Sequence, residues 1–230
     1  MSRVIVFSGV VGAGKTTHKR LLAKYLASRG YRVRDTILKT SYGLSYILLT
    51  MLCLVSRVRP GNKVSPIRML IDERKSFFKR LFKLWLWVDV FSVFIEFIRR
   101  IYLPLRLGYT VVVVEDYIPA VITDYMFFSV KLGVPVESIV RQIRMIYRLD
   151  IAVKSRGYRV YSFFFDAEDR ELYKRWVRRG SSIEYRDYII VQKKLLYRIT
   201  RFLYSDTVYI DTTREDIASI HRRIKELIKL

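Results

Sequence analysis

Residues 9–16 read Gly-Val-Val-Gly-Ala-Gly-Lys-Thr, a complete match to the pattern G-x-x-x-x-G-K-[ST]. The run before it, Arg3 to Ser8 (RVIVFS), has the β-branched apolar character of a buried parallel strand, and a helical pattern follows from about Thr16 to Ser28. A strand, a glycine loop and a helix in that order leave few folds open. Each part has a physical task. Gly9, Gly12 and Gly14 let the main chain through Val10, Val11 and Ala13 curl, so that successive N–H groups turn inward to phosphate oxygens. The helix start adds its positive dipole end, Lys15 reaches the β- and γ-phosphates, and the Thr16 hydroxyl ligates Mg²⁺, with Thr17 completing the turn. The expected ligands are ATP and Mg²⁺. A glycine-rich turn that binds nothing is the competing reading.

Further along, strands alternate with helices. Tyr31 to Leu38 is a second expected strand, and Tyr109 to Val114 ends in four valines before Glu115 and Asp116. Tyr158 to Phe165 runs into Asp166, and Thr207 to Ile210 is a short last strand. Between them lie helices over about 65–107, from Pro135, over about 168–179 and 183–204, and at the C-terminus. Ser181 with Glu184, and Thr212 with Glu215, have capping-box spacing; Ile217, Ile220, Ile224 and Leu227 form the expected core face of the last helix. This alternation predicts an α/β fold of the P-loop NTPase type: three layers, with a parallel sheet of about five strands and helices on both faces. One domain over 1–230 with a small lid segment at about 175–184 accounts for the length. Such sheets bind ligands at the carboxyl ends of their strands, where the glycine loop, Glu115-Asp116 and Asp166 all fall.

Two candidate groups complete the phosphate chemistry. Glu115 and Asp116, at the end of the valine strand, are placed to hold Mg²⁺ or its waters; two acids opening a solvated loop are the plainer alternative. Arg175, Arg178 and Arg179 share one helix face beside Gly180-Ser181-Ser182 and suit a lid that stabilises charge on a transferring phosphoryl group. An exposed basic face explains the same spacing.

Composition narrows the setting. Lys and Arg number 43 against 21 Asp and Glu, a formal charge of +22, which is either a solvated surface or an attraction for polyanions such as nucleic acid. The single cysteine, Cys53, excludes an internal disulfide framework, sits in an apolar run and fits a reducing, cytoplasmic setting. The run 44–55 is too short to cross a bilayer, and 81–98 carries Lys83, Asp89 and Glu96, so no membrane span is expected. Asn62 is the only asparagine and Gln142 and Gln192 the only glutamines, a scarcity that hints at a thermophilic source. The two histidines, His18 and His221, fall on expected helices as packing or surface residues.

These elements in this order resemble the thymidylate kinase family of nucleoside monophosphate kinases. The likeness spans nearly the whole chain and is closest at SGVVGAGKTTHKRLLAKYLASRGYRV, YSFFFDAEDRELYKRWVRRGSSIEY and YIDTTREDIASIHRRI. It implies nucleotide biosynthesis: phosphorylation of dTMP to dTDP with ATP and Mg²⁺, in a homodimer. It also implies that Glu115 stands for the family's metal-side aspartate and that Thr212 and Thr213 lie near the adenine. On the acceptor side the implied positions are Lys39, Asp89, Asp116, Tyr117 and Tyr125, and here the sequence departs from the family. Val11 replaces an acid of the loop, Asp116 stands where an arginine is expected, and the second Asp-Arg motif reads Asp89-Val90. Ala120 or Val121, and Tyr125, occupy the places of a serine and a glutamine, and no Thr-Arg-Glu-Pro segment is found between Thr36 and Thr40. The donor half is intact and the acceptor half rewritten. Three functions therefore stand: a nucleoside monophosphate kinase, a kinase of a deoxynucleoside or nucleic acid end, and a nucleotide-binding protein without kinase activity. Tyr117, Tyr125, Phe127 and Phe128 could stack a base in the second of these, or form an aromatic core.

Overall fold

A computed structural model describes residues 2–58, 65–178 and 186–228. Five strands form one parallel sheet in the order β2-β3-β1-β4-β5, with β1 at Arg3–Gly9, β2 at Val33–Leu38, β3 at Val111–Asp116, β4 at Arg159–Asp166 and β5 at Val208–Asp211. The three-layer α/β fold expected from the alternation is present. Strand residues alternate strictly between two cores. Val4, Val6, Val112 and Val114 face one, while Ile5, Phe7, Val111 and Val113 face the other, all with no exposed surface.

The first core is covered by α2 (Leu44–Val55), α3 (Pro66–Glu73), α4 (Lys75–Phe97), α6 (Ile118–Leu132) and α7 (Val140–Lys154). The second is covered by α1 (Lys15–Ser28), α8 (Asp169–Arg178) and α11 (Ile217–Ile228). After α4 the helix widens into a π-turn at Ile98–Tyr102 before α5 (Leu103–Arg106). Pro104 has no N–H to give the carbonyl one turn back, and the wider turn accommodates its ring. A second π-turn, Gln192–Leu196, divides α9 (Arg186–Val191) from α10 (Tyr197–Leu203), where the sequence pattern predicts one continuous helix. Pro135 likewise introduces a 3₁₀ turn, Val136–Ile139, ahead of α7.

Two expectations are corrected. Thr212 does not cap α11: its hydroxyl donates to the Asp166 carbonyl at 3.1 Å and accepts from Arg175 at 2.9 Å. Asp216 takes that role, its carboxylate accepting the Ser219 N–H at 2.8 Å. The α11 core face is Ile220, Ile224 and Ile228, whereas Ile217 and Leu227 are exposed, because the helix starts later than the pattern suggests. The Ser181–Glu184 capping box lies outside the described residues.

Among the described residues no helix is long and apolar enough to cross a membrane. One face is nonetheless strongly apolar. Between residues 84 and 98 every exposed side chain of α4 and its π-turn is large and apolar: Leu84, Trp87, Phe91, Phe94, Ile95 and Ile98. The neighbouring α2 exposes Leu44, Ile47, Met51 and Leu54 at the same alternating three- and four-residue spacing.

Candidate functional site

The connection leaving β1 runs through α1 on one face of the sheet, and the connection leaving β3 runs through α6 and α7 on the other. Adjacent strands whose connections diverge leave a crevice at their carboxyl ends. The glycine loop fills that crevice from β1, and Glu115 and Asp116 enter it from β3.

The loop's shape rests on close approaches that only glycine allows. Gly9 has φ of 132°, and a Cβ there would lie 2.1 Å from the Phe165 carbonyl oxygen of β4. That carbonyl accepts the Val10 N–H at 2.9 Å. Gly12, at φ 89°, leaves room for the Trp176 indole, whose nitrogen would stand 2.6 Å from an added Cβ. Lys15 Nζ donates back to the carbonyls of Gly9 (2.9 Å) and Val10 (3.1 Å) and lies 3.7 Å from Asp116 Oδ1. The Thr16 hydroxyl donates to Glu115 Oε1 at 2.7 Å. A hydroxyl and two adjacent carboxylates form an oxygen donor set of the hardness Mg²⁺ prefers, so the residues present fit that ion. Thr17 is exposed on the first turn of α1, and Ala13 is buried beneath the loop.

Asp116 and Tyr117 are two of the four non-glycine residues at positive φ among the described residues, 63° and 116°, and the Tyr117 N–H is held by the Leu38 carbonyl at 2.9 Å. Burial raises the Asp116 carboxyl above the usual range, with Lys15 opposing that rise and Glu115 adding to it. Lys19, one turn beyond Lys15, is buried and joins Glu115 (3.4 Å), Asp35 (2.9 Å) and the Thr36 carbonyl (3.0 Å). It holds Glu115 in place from behind the loop.

On the donor side Arg175 is committed to protein contacts. Its guanidinium donates to the Thr212 hydroxyl (2.9 Å), the Thr212 carbonyl (2.7 Å) and the Gly12 carbonyl (3.3 Å), tying the loop after β5 to the phosphate loop. Thr213 accepts the Glu168 N–H at 2.8 Å. Arg178 is exposed, and Arg179, with the rest of the expected lid, lies outside the described residues. Asp166 closes β4, taking the Tyr209 hydroxyl at 2.8 Å with Lys193 3.4 Å away. His18 stacks on Phe165 behind the loop, and burial, followed by repulsion from His221 and Arg175, lowers its pKa to about 4.

The acceptor-side residues occupy two layers. Lys39 sits over the Tyr42 ring at 5.1 Å; burial works against its charge, but Tyr42, Asp116 and Asp124 together hold its pKa above the usual value. Beneath it, Asp89 is wholly buried and accepts the Ser41 N–H and the Tyr125 hydroxyl, both at 2.8 Å. Asp124 accepts the Thr40 hydroxyl (2.8 Å) and the Tyr188 hydroxyl (2.7 Å). Burial lifts both carboxyls to about 6. The structure therefore brings Lys39, Asp116 and Asp124 into one electrostatic neighbourhood. It places Tyr117, Tyr125 and Asp89 in the core, supporting the loop after β2 from below, and Phe127 and Phe128 are core aromatics beside them.

Lys19, Thr40, Asp124, Tyr188 and Gln192 escaped the sequence reading, since each acts through a partner far along the chain. Gln192, one of two glutamines, carried a compositional signal. A cavity of about 570 Å³ lined by Arg159, Tyr161, Leu203 and Tyr204 lies at the amino end of β4, away from this chemistry.

Fold and loop together define an α/β protein of the P-loop NTPase type. Among solved structures the chain is similar to the thymidylate kinase of Candida albicans, an enzyme of broad substrate specificity, with a TM-score of 0.57 at 14% identity over 99% of this chain and 91% of that one. It is also similar to the thymidylate kinase of Ehrlichia chaffeensis, with a TM-score of 0.49 at 20% identity over 100% and 99% of the two chains. The Candida likeness shows a shared fold. No family model matches the chain, and no curated protein matches it in sequence.

Proposed function

We propose that this protein is an ATP-dependent phosphotransferase acting on a nucleoside monophosphate, with dTMP the default acceptor. One observation carries the reading: Lys15 and Thr16 of the glycine loop meet Glu115 and Asp116 at the carboxyl ends of adjacent strands. The fold shared with the Candida thymidylate kinase supports it. Mg²⁺, when bound, would neutralise charge across the β- and γ-phosphates. Thr16, Glu115 and Asp116 would hold it or its waters. Lys15 would leave the Gly9 and Val10 carbonyls for phosphate oxygens, and the loop amides other than those of Val10, Val11 and Ala13, which the protein already engages, would cradle them. Arg175, with Thr212 and Thr213, would border the adenine, leaving Arg178 or Arg179 to balance charge on the transferred group. Positioning and electrostatics supply the rate in this scheme. Lys15→Ala should abolish turnover and weaken MgATP binding severely, measured by coupled ADP release and calorimetry; full activity in that variant would sink the assignment.

The acid lining of the acceptor side favours a second reading. Asp116, with Asp124 close to it, opposes a dianionic monophosphate, whereas an uncharged deoxynucleoside meets no such repulsion, and a nucleic acid end could offer a hydroxyl here while its phosphates lie on the basic surface. A transfer screen over nucleoside monophosphates, deoxynucleosides and a short oligonucleotide separates the two. Tight MgATP binding with no transfer to any of them points to a nucleotide-binding protein without kinase activity. The apolar face of α2 and α4 supports a further part of the proposal, a homodimer joined at that face, and the single free cysteine, Cys53, fits the reducing cytoplasm proposed for it.

A further inference from the structure

Two side chains reach the main chain of the phosphate loop from elsewhere among the described residues. Arg175 donates to the Gly12 carbonyl, and Gln192 accepts the Val11 N–H through Oε1 at 3.0 Å. Gln192 belongs to no motif and is 5% exposed. It opens the π-turn between α9 and α10, and that turn has a geometric effect. Eight residues of regular α-helix would turn Thr200 roughly 80° away from Gln192. The additional residue that a π-turn accommodates brings both to the side facing β1, where the Thr200 hydroxyl lies 3.5 Å from that of Ser8.

The same helix is tied at two other places. Lys193 donates to the Ala167 carbonyl (2.7 Å) and pairs with Asp169 (2.7 Å) past the end of β4. Tyr188, one turn before Gln192, donates to Asp124, which in turn takes the Thr40 hydroxyl. A chain of direct contacts therefore runs from the loop after β2, through α6 and α9, to the phosphate loop.

We infer that Gln192 is a positioning residue: it fixes the Val11 N–H and holds the first half of the phosphate loop in its curled form. A carboxamide suits that place because its oxygen accepts the amide proton without setting a negative charge beside a loop built for anions. The structural part of the inference is independent of the proposed activity; its consequence for MgATP rests on that reading.

The test is amide hydrogen exchange on the unliganded full chain, followed by MgATP affinity. In Gln192→Ala the Val11 amide should exchange about 5- to 20-fold faster, the loss of one hydrogen bond to a main-chain group, while Val4 and Ile5 in β1 remain unchanged. Gln192→Glu keeps an acceptor oxygen and should retain the wild-type protection. MgATP affinity should fall about 5-fold in Gln192→Ala and further in Gln192→Glu, where a carboxylate faces phosphate. Unchanged Val11 exchange in a folded Gln192→Ala protein overturns the inference. If that variant does not fold, Gln192→Glu decides: retained protection with weaker MgATP binding supports the role, and lost protection overturns it. Wild-type protein that binds no MgATP overturns the phosphotransferase reading and leaves the exchange result to stand by itself.

Discussion

Asp89 has no exposed surface, and burial lifts its carboxyl from 3.8 to about 6 against the opposing hydrogen bonds of Ser45, Tyr125 and Ser41. The folded chain therefore binds this proton more tightly than the unfolded chain does. The group's contribution to stability is full below about pH 3.8 and is lost as pH rises towards 6. Asp89→Asn can still meet Ser41 and Tyr125, and it does not titrate. Relative to that variant, the wild type should lose stability between pH 4 and pH 7, by up to about 3 kcal/mol, in calorimetric melts across the range. A difference that does not change with pH would refute the burial argument. Residues of this kind divide the legible from the illegible. Gly9, Lys15 and Thr16 could be read because their chemistry depends on spacing within eight residues, and Glu115 because it follows a run of valines. Asp89 acts on Ser41 and Tyr125 across 48 and 36 residues, a relation that only the folded chain creates. Gln192 meets Val11 across 181 residues.

Secondary structure was more open to reading, with boundaries moved by hydrogen bonds that the pattern does not carry. The three central strands fall on apolar runs, since a strand buried on both faces has to be apolar nearly throughout, while the edge strands β2 and β5 keep charged residues and are less marked in sequence. The π-turns at 98–102 and 192–196 were invisible, because neither five-residue segment contains a glycine or proline to mark the phase shift inside a helical run. The start of α11 shows competition between caps. Thr212 has a suitable side chain, but Arg175 and the Asp166 carbonyl engage it first, and Asp216 caps the helix four residues later. Asp216→Ala should therefore lower stability by about 1 kcal/mol in chemical denaturation. Unchanged stability in that variant would show that Asp216 does not cap the helix.

For the molecule as a whole, charge was legible and its distribution was not. A chain with 43 basic residues exposes none on the stretch of α4 between Leu84 and Ile98. That spacing suits an antiparallel meeting of two α4 helices about a twofold axis, with Phe91 near the centre. Two copies each carrying +22 can approach there without opposing charges in the contact. Light scattering should give twice the chain mass of 27.4 kDa, and Phe91→Glu should shift the protein to monomer with its fold retained. A monomeric wild type at micromolar concentration would count against this arrangement.

The left-handed turn at Asp116 and Tyr117 has a consequence for how such a site can be altered. Glycine would adopt that backbone freely, whereas a residue with a side chain costs on the order of 1 kcal/mol or more there. At position 116, conformational comfort and a carboxylate beside Lys15 exclude one another. The end of β3 behaves like a bent spring with its charged tip aimed at the phosphate loop. Substitutions that relax the spring also remove the tip, so greater stability at this position would come with an emptier site.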